Sequence, residues 1–177
     1  MSESLAAAGL HIAGQEETEA LAWICADLAG PGSCFLLSGG LGAGKSTFAR
    51  AFIRYLLGDD EEVPSPTFTL VQQYGPFDKG GQEVEIWHAD LYRIGDPDEI
   101  LELGLDEAFE TAICLVEWPD RLGSFAPPDA VVLHFEICDG DPAEDGERAV
   151  ALSLPERLRP DYEEAFDEAV FDVVWIE

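Results

Sequence analysis

Apolar residues in this chain recur in two rhythms. Short runs that are continuous or alternate with polar residues, at 33–38, 68–74, 84–90, 113–117, 129–137 and 149–154, predict strands. Between them, apolar residues return at three and four, as on the buried stripe of a helix. One such stretch opens at Gln15-Glu16-Glu17-Thr18, carries Leu21, Ile24, Cys25 and Leu28, and stops at Gly30-Pro31-Gly32. A second opens at Lys45, sets Phe48, Phe52, Tyr55 and Leu56 apart from Arg50 and Arg54, and ends at Gly58-Asp59. Pro97 fits the first turn of a third, with Asp96 as cap, Glu99 completing a capping-box pattern, and Ile100, Leu101 and Leu103 as apolar face. A short helix is expected through 106–110. Another follows Pro155, with Leu158, Tyr162, Ala165, Phe166 and Ala169 on one face. The glycine-rich segment 75–81 between two strand runs predicts a β-hairpin. Leu10-His11-Ile12 reads as a short edge strand with His11 at the surface, and residues 1–8 as a flexible lead.

Strands that alternate with helices predict an α/β domain. At 177 residues and 47% hydrophobic content the chain suits one domain with a sizeable core. The apolar end, Val170-Phe171-Asp172-Val173-Val174-Trp175-Ile176, is expected to pack on the body or on a partner. The expected division is therefore a flexible 1–8, a domain over 9–154, and a helix and tail over 155–177 packed on that domain.

The chemistry concentrates at Gly39-Gly40-Leu41-Gly42-Ala43-Gly44-Lys45-Ser46-Thr47, which fits G-x-x-x-x-G-K-[ST]. An apolar strand run precedes it and a helix follows. Backbone N–H groups and the helix N-terminus then face an anion, the lysine reaches terminal phosphate oxygens, and the serine hydroxyl suits Mg²⁺. A second signal is Ile113-Cys114-Leu115-Val116-Glu117-Trp118-Pro119, an apolar run that closes on an acid beside a helix starter. A parallel strand next to the loop strand would bring Glu117 level with the metal of a bound nucleotide. Trp118 suits either core or a cover over the nucleotide. In Ile86-Trp87-His88-Ala89-Asp90-Leu91-Tyr92-Arg93, His88, Asp90 and Arg93 gather at a strand end. Asp90 there suits metal or water, or a buried pair with Arg93. Ser65-Pro66-Thr67 is a stiff turn, read equally as a hairpin entry or as a switch loop that senses nucleotide.

Charge narrows the partners. With 9 Lys+Arg against 37 Asp+Glu the net charge is −28, and its field repels nucleic acid and anionic membranes. Cys25, Cys34, Cys114 and Cys138 stand singly and read as core thiols rather than a metal site or disulfide framework. No basic leader and no apolar run of about 18 residues is present, which predicts a cytoplasmic protein without membrane contact.

Four ordered motifs, Gly-Gly-Leu-Gly-Ala-Gly-Lys-Ser-Thr from Gly39, Ser-Pro-Thr-Phe-Thr-Leu-Val from Ser65, His-Ala-Asp-Leu-Tyr-Arg from His88 and Leu-Val-Glu-Trp-Pro from Leu115, resemble the TsaE (YjeE) family. That family comprises small bacterial phosphate-loop ATPases required for threonylcarbamoyladenosine formation on tRNA. The resemblance implies a single P-loop NTPase domain, with a mixed central sheet, helices on both faces and a β-hairpin after the first P-loop helix. It implies ATP and Mg²⁺ as cofactors, slow hydrolysis, TsaB and TsaD as partners, and contact with tRNA only through that complex. By position, the loop from Gly39 through Thr47 would hold phosphates, Ser46 and Glu117 would ligate Mg²⁺, and Thr67 would belong to the switch loop. Lys45, Asp90 and Glu117 would serve catalysis, and Trp118, Gln15, Thr18 and Arg148 would approach the nucleotide. The alternatives are a nucleotide-sensing interaction module whose hydrolysis is incidental and, more distantly, a metabolite kinase.

Overall fold

A computed structural model describes residues 4–138 and 146–176. Its eight strands form one sheet: β1 (Leu5–Ile12), β2 (Cys34–Gly39), β3 (Val71–Lys79), β4 (Gln82–Asp90), β5 (Ile113–Glu117), β6 (Val131–Ile137), β7 (Arg148–Pro155) and β8 (Val173–Ile176). Their order across the sheet is β3-β4-β5-β2-β6-β7-β1-β8. The middle is parallel, β4 to β5, β5 to β2 and β2 to β6, while both flanks are antiparallel. The sheet is thus mixed, as expected.

The helices α1 (Gln15–Leu28), α2 (Lys45–Leu57) and α5 (Arg159–Glu168) cover one face, where Leu21, Phe48, Phe52 and Phe166 join sheet residues such as Phe35, Leu115 and Leu152. On the other face α3 (Glu99–Glu102), α4 (Leu105–Thr111) and a 3₁₀ segment, Pro119–Phe125, enclose Leu36, Ala89, Cys114 and Val116. Strands β2 and β5 lie between both layers, which explains their unbroken apolar runs. Strands β1, β6 and β7 alternate because only one of their faces is covered by helices.

Four expectations change. Leu5 and the alanines after it belong to β1, not to a flexible lead, and β1 is not an edge, because β8 pairs along its outer side. The segment expected to begin a strand at Phe68 is instead a turn. The Leu70 N–H closes on the Pro66 carbonyl at 2.8 Å, Leu70 takes a left-handed φ of 63°, and β3 starts only at Val71. Most of the expected hairpin loop is strand. A bulge between Tyr74 and Phe77 absorbs Pro76, which has no N–H for the ladder, and the turn is Gly80-Gly81, both at positive φ. Finally, α3 begins at Glu99, although the predicted cap forms: Glu99 Oε1 accepts the Asp96 N–H at 3.0 Å and Asp96 Oδ1 accepts the Asp98 N–H at 3.0 Å.

The acidic connection expected over 139–146 falls outside the described residues apart from Gly146. Cys25, Cys34 and Cys114 are buried as expected, and burial pushes the Cys25 and Cys114 thiols up to about 12, whereas Cys138, just past the end of β6, is exposed and not a core thiol. The C-terminal elements close the core. Tyr162 and Phe166 are buried, whereas Ala169 is exposed because the chain reverses at Val170, φ 58°, to send β8 back along β1. Phe166 meets Tyr162, Phe171 and Trp175 at ring-centroid distances of 5.8, 5.8 and 6.4 Å. Replacing Phe166 by Ala should therefore cost about 3 kcal/mol. Thermal or denaturant unfolding would register it, and an unchanged midpoint would mean that the tail is not integral to the domain.

Candidate nucleotide site

Strand β2 delivers the chain to the glycine-rich loop at the carboxyl edge of the sheet, where ligands of open α/β sheets bind. Gly39 has φ 132°, and a Cβ there would stand 2.3 Å from the Phe135 carbonyl oxygen, so only glycine lets β2 leave the sheet beside β6. Gly44, φ 117°, precedes the first turn of α2, which closes with the Phe48 N–H on the Gly44 carbonyl at 2.9 Å. The loop therefore aims the α2 N-terminus into a cavity of about 500 Å³.

Lys45 lies across the loop. Its ammonium donates to the carbonyls of Gly39 at 2.7 Å and Gly40 at 2.6 Å and sits 4.6 Å from the centre of the Trp118 ring. Burial pulls its pKa below the usual lysine value, opposed by the nearby Glu117 and Asp90 carboxylates. Trp118 holds a left-handed φ of 58°, the geometry that turns its ring toward Lys45, and Tyr92 packs on it at 4.9 Å.

The carboxylates arrive by strand register. Glu117 is level with Leu37 across β5 and β2 and with Asp90 across β5 and β4. Ser46, on the first turn of α2, donates its hydroxyl to Glu117 with 3.3 Å to either carboxylate oxygen. Glu117 Oε1 also lies 2.9 Å from His88 Nε2, and His88 Nδ1, although buried, has no partner among the described residues. Asp90 accepts the Tyr92 N–H at 3.1 Å, and its own N–H bonds the Leu70 carbonyl at 2.8 Å. The pair of Asp90 with Arg93 does not form among the described residues. Arg93 is exposed and stacks over Phe68 at 5.3 Å.

The cavity gathers Gln15, Thr18, Leu41, Gly42, Gly44, Lys45, Ser46 and Thr47 from the helix side of the sheet edge. Thr67, Asp90, Glu117, Trp118 and Arg148 close it from the strand and loop side. Gly39, Gly40 and Ala43 are not on its wall. They shape the loop from behind, Ala43 buried and bonded through its N–H to the Gly40 carbonyl at 3.3 Å. Arg148 donates to the Gly146 carbonyl and lies 3.5 Å from the Gly42 carbonyl, while Thr18 donates to the Gly14 carbonyl at 3.3 Å. Ser65 lines the mouth and shares a hydrogen bond of 2.7 Å with Thr67.

Sequence reasoning did not assign Gly14 or Gly146 to the site; it placed Ser65 on the switch loop and His88 at the ligand-facing strand end without giving either a role of its own. For His88 the signal was present, because the two-residue period of β4 puts it on the same side as Asp90. Ser46 and Glu117 offer two hard oxygen donors at one point of the cavity, a set that suits Mg²⁺ completed by phosphate oxygens and water. Among the described residues no cluster of three His, Cys, Asp or Glu side chains forms a separate metal site.

An α/β sheet with helices on both faces and a glycine-rich loop between β2 and α2 defines a P-loop fold of the ATPase type. The family described as "Threonylcarbamoyl adenosine biosynthesis protein TsaE" matches over residues 12–149, and the chain belongs to the TsaE family. Similar proteins carry the same description. The tRNA threonylcarbamoyladenosine biosynthesis protein TsaE of Rickettsia conorii is 37% identical over 127 residues, 72% of this chain and 70% of that one. The Bacillus subtilis protein of the same name is 37% identical over 130 residues, 73% and 77% of the two chains. The crystal structure of Bacillus subtilis YdiB superposes with a TM-score of 0.71 at 28% identity, covering 95% of this chain and 99% of that one. The likeness carried by the four motifs thus extends to the whole fold. No helix among the described residues is long and apolar enough to cross a membrane.

The two glycines at the loop entrance separate steric from general effects. Gly39→Ala should weaken binding of a fluorescent ATP analogue by more than about tenfold. Gly40→Ala, whose added Cβ meets nothing within 4 Å, should stay close to wild type. Equal affinity for all three proteins, read by fluorescence anisotropy, would remove the loop from the binding site.

Proposed function

We propose that this chain binds ATP with Mg²⁺ and hydrolyses it slowly, acting with TsaB and TsaD to form threonylcarbamoyladenosine at position 37 of tRNA. The observation that carries this reading is the convergence of Lys45, Ser46 and Glu117 on one cavity in a chain of the TsaE family. The loop N–H groups and the α2 N-terminus bind the phosphates, and Lys45 exchanges its two carbonyl acceptors for phosphate oxygens. Ser46 and Glu117 would hold Mg²⁺, which would neutralise charge on the phosphates. His88 fixes the Glu117 carboxylate. Asp90, held by the Tyr92 N–H and open to the cavity, orients the attacking water and accepts its proton. Gln15, Thr18 and Arg148 contact the base and sugar end, and Trp118 covers the phosphates.

Slow intrinsic turnover follows from the charge supply. Arg93 is stacked outside the cavity and Arg148 is tied to loop carbonyls, which leaves Lys45, among the described residues, as the side-chain cation beside the loop. Phosphoryl transfer without an arginine at the transferred group is slow. With a net charge of −28, tRNA is approached through the partner proteins and not by this surface.

A second reading, a nucleotide-sensing module whose hydrolysis is incidental, is favoured by one feature. Phe68, 86% exposed, directly follows Thr67 and offers an apolar contact beside it. The test is ATP hydrolysis by the purified chain, alone and with TsaB and TsaD, with tRNA modification followed in parallel. We expect hydrolysis to rise with the partners, and modification to stop when the chain is omitted or carries Lys45→Ala. Asp90→Asn should keep ATP binding yet fail to support repeated cycles. Full activity of that variant would leave the sensing module, and no dependence of modification on the chain would end both readings.

A further inference from the structure

Outside the tyrosines and cysteines, six polar or charged side chains are buried among the described residues: Thr18, Lys45, His88, Asp90, Glu117 and Arg148. Five of them line the nucleotide cavity, and His88 does not. It stands on β4 between Ile86 and Asp90, 1% exposed and level with Leu115 of β5, at a position whose strand neighbours Ile86 and Leu115 belong to the core under α1 and α2. Among the described residues its Nδ1 has no partner, and its Nε2 meets Glu117 Oε1 at 2.9 Å. A carboxylate only accepts, so Nε2 carries a proton and donates it. A core that keeps a ring with one nitrogen unpaired gives up stability relative to an apolar residue of the same shape. What the ring does with its polar atoms is to hold Glu117.

That bond divides the two oxygens of the carboxylate. Oε1 is committed to His88, while the Ser46 hydroxyl stands 3.3 Å from both. Asp90, level with Glu117 in the β4–β5 register, is divided in the same way, with Oδ1 accepting the Tyr92 N–H at 3.1 Å. In each acid one oxygen is tied to the protein behind it. Such a division bears on the size of the cation. Mg²⁺ is small, keeps a tight octahedral shell with several waters and is served by one oxygen of a carboxylate, whereas Ca²⁺ takes a larger shell and readily draws on both. A cation that draws on both oxygens of Glu117 turns the carboxylate and pulls Oε1 from His88. The ring is then buried with neither nitrogen partnered, a cost that falls on the large cation and spares the small one.

We propose that His88 is a positioning residue that commits Oε1 of Glu117 to the protein, leaves Oε2 for the metal, and so sets the preference of the site for Mg²⁺ over Ca²⁺. The proposal rests on the reading of Ser46 and Glu117 as metal ligands and deepens it: those two residues make the site accept a divalent cation, and His88 decides its size. Partners that orient a ligating group from behind typically change metal affinity by about 10- to 100-fold when removed. If His88 only braced β4 against β5, its loss would weaken binding with either cation alike and leave their ratio unmoved.

The test is calorimetric titration of ATP into the wild type, His88→Phe and His88→Gln, each with a chelator, with Mg²⁺ and with Ca²⁺, after circular dichroism has shown each variant to be folded. Phenylalanine keeps a ring in the slot without an N–H, and glutamine restores an N–H donor close to the place of Nε2. The wild type should bind ATP about tenfold or more tightly with Mg²⁺ than with Ca²⁺, His88→Phe should lose most of that ratio, and His88→Gln should recover it. A ratio that His88→Phe keeps, or that both variants lose together, overturns the inference and leaves the metal reading standing. So does a wild type that the two cations help equally. A wild type whose ATP affinity is the same with the chelator as with either cation overturns the metal reading and the inference with it. If neither variant folds, proton NMR of the wild type decides: the His88 ring N–H, buried against a carboxylate, should give a slowly exchanging resonance that persists with Mg²⁺ and ATP and is lost with Ca²⁺ and ATP. Its retention in both complexes, or its loss from both, overturns the inference.

Discussion

Parallel pairing of β5 between β2 and β4 is the constraint on which the cavity depends. It sets Glu117 level with the end of the loop strand and with Asp90, so two acids from separate strands reach the first turn of α2, where Ser46 stands. A shift of one residue would turn Glu117 to the opposite face, toward α3 and α4. That register is held by residues with no direct chemical role. Leu37 and Leu115 face α1 and α2, while Leu36, Cys114 and Val116 face the other helical layer. A strand buried on both sides has no neutral alternative register, and this makes the position of the Glu117 carboxylate a consequence of core packing.

The second element of the design is how the loop holds its lysine. Lys45 is buried, bonded to two carbonyls and stacked by Trp118, so its charge is satisfied within the loop itself. Burial disfavours the charge while Glu117 and Asp90 support it, and the balance favours a further anion beside Lys45. Trp118, left-handed, lines the cavity, and Leu70, also left-handed, stands behind Asp90 of its wall. Both are non-glycine residues in a conformation that surrounding structure must hold, and both lie where chain segments bring a cavity residue into place. Leu70 does so through its carbonyl, which accepts the Asp90 N–H.

Much of this was legible before any coordinates. The β2–loop–α2 unit, the apolar run ending in Glu117 and the helix from Gln15 follow from periodicity and glycine placement, because these elements are local and strongly amphipathic or wholly buried. The misread segments share a different cause. Phe68 looks like strand, but the Pro66 carbonyl captures the Leu70 N–H and defers β3 to Val71, a competition that propensity does not register. Residues 75–79 look like loop, yet a bulge lets them continue the ladder. The N-terminal Leu5-Ala6-Ala7-Ala8 lacks β-branched residues and is a strand only because β7 and β8, more than 140 residues away in sequence, pair on both sides of it. His88 was placed near the site, but its bond to Glu117 depends on a pairing between β4 and β5 that no local pattern encodes.

Strand β6 also shapes the loop, because its Phe135 carbonyl leaves no room for a Cβ at Gly39. Yet the central claim concerns the cavity itself, that Ser46 and Glu117 together hold the metal of a bound nucleotide. The direct measurement is calorimetric titration of ATP into the wild type and into Glu117→Gln, each with and without Mg²⁺. The account predicts that Mg²⁺ strengthens ATP binding by about tenfold in the wild type and has little effect in the variant. An equal Mg²⁺ dependence in the two proteins would contradict it.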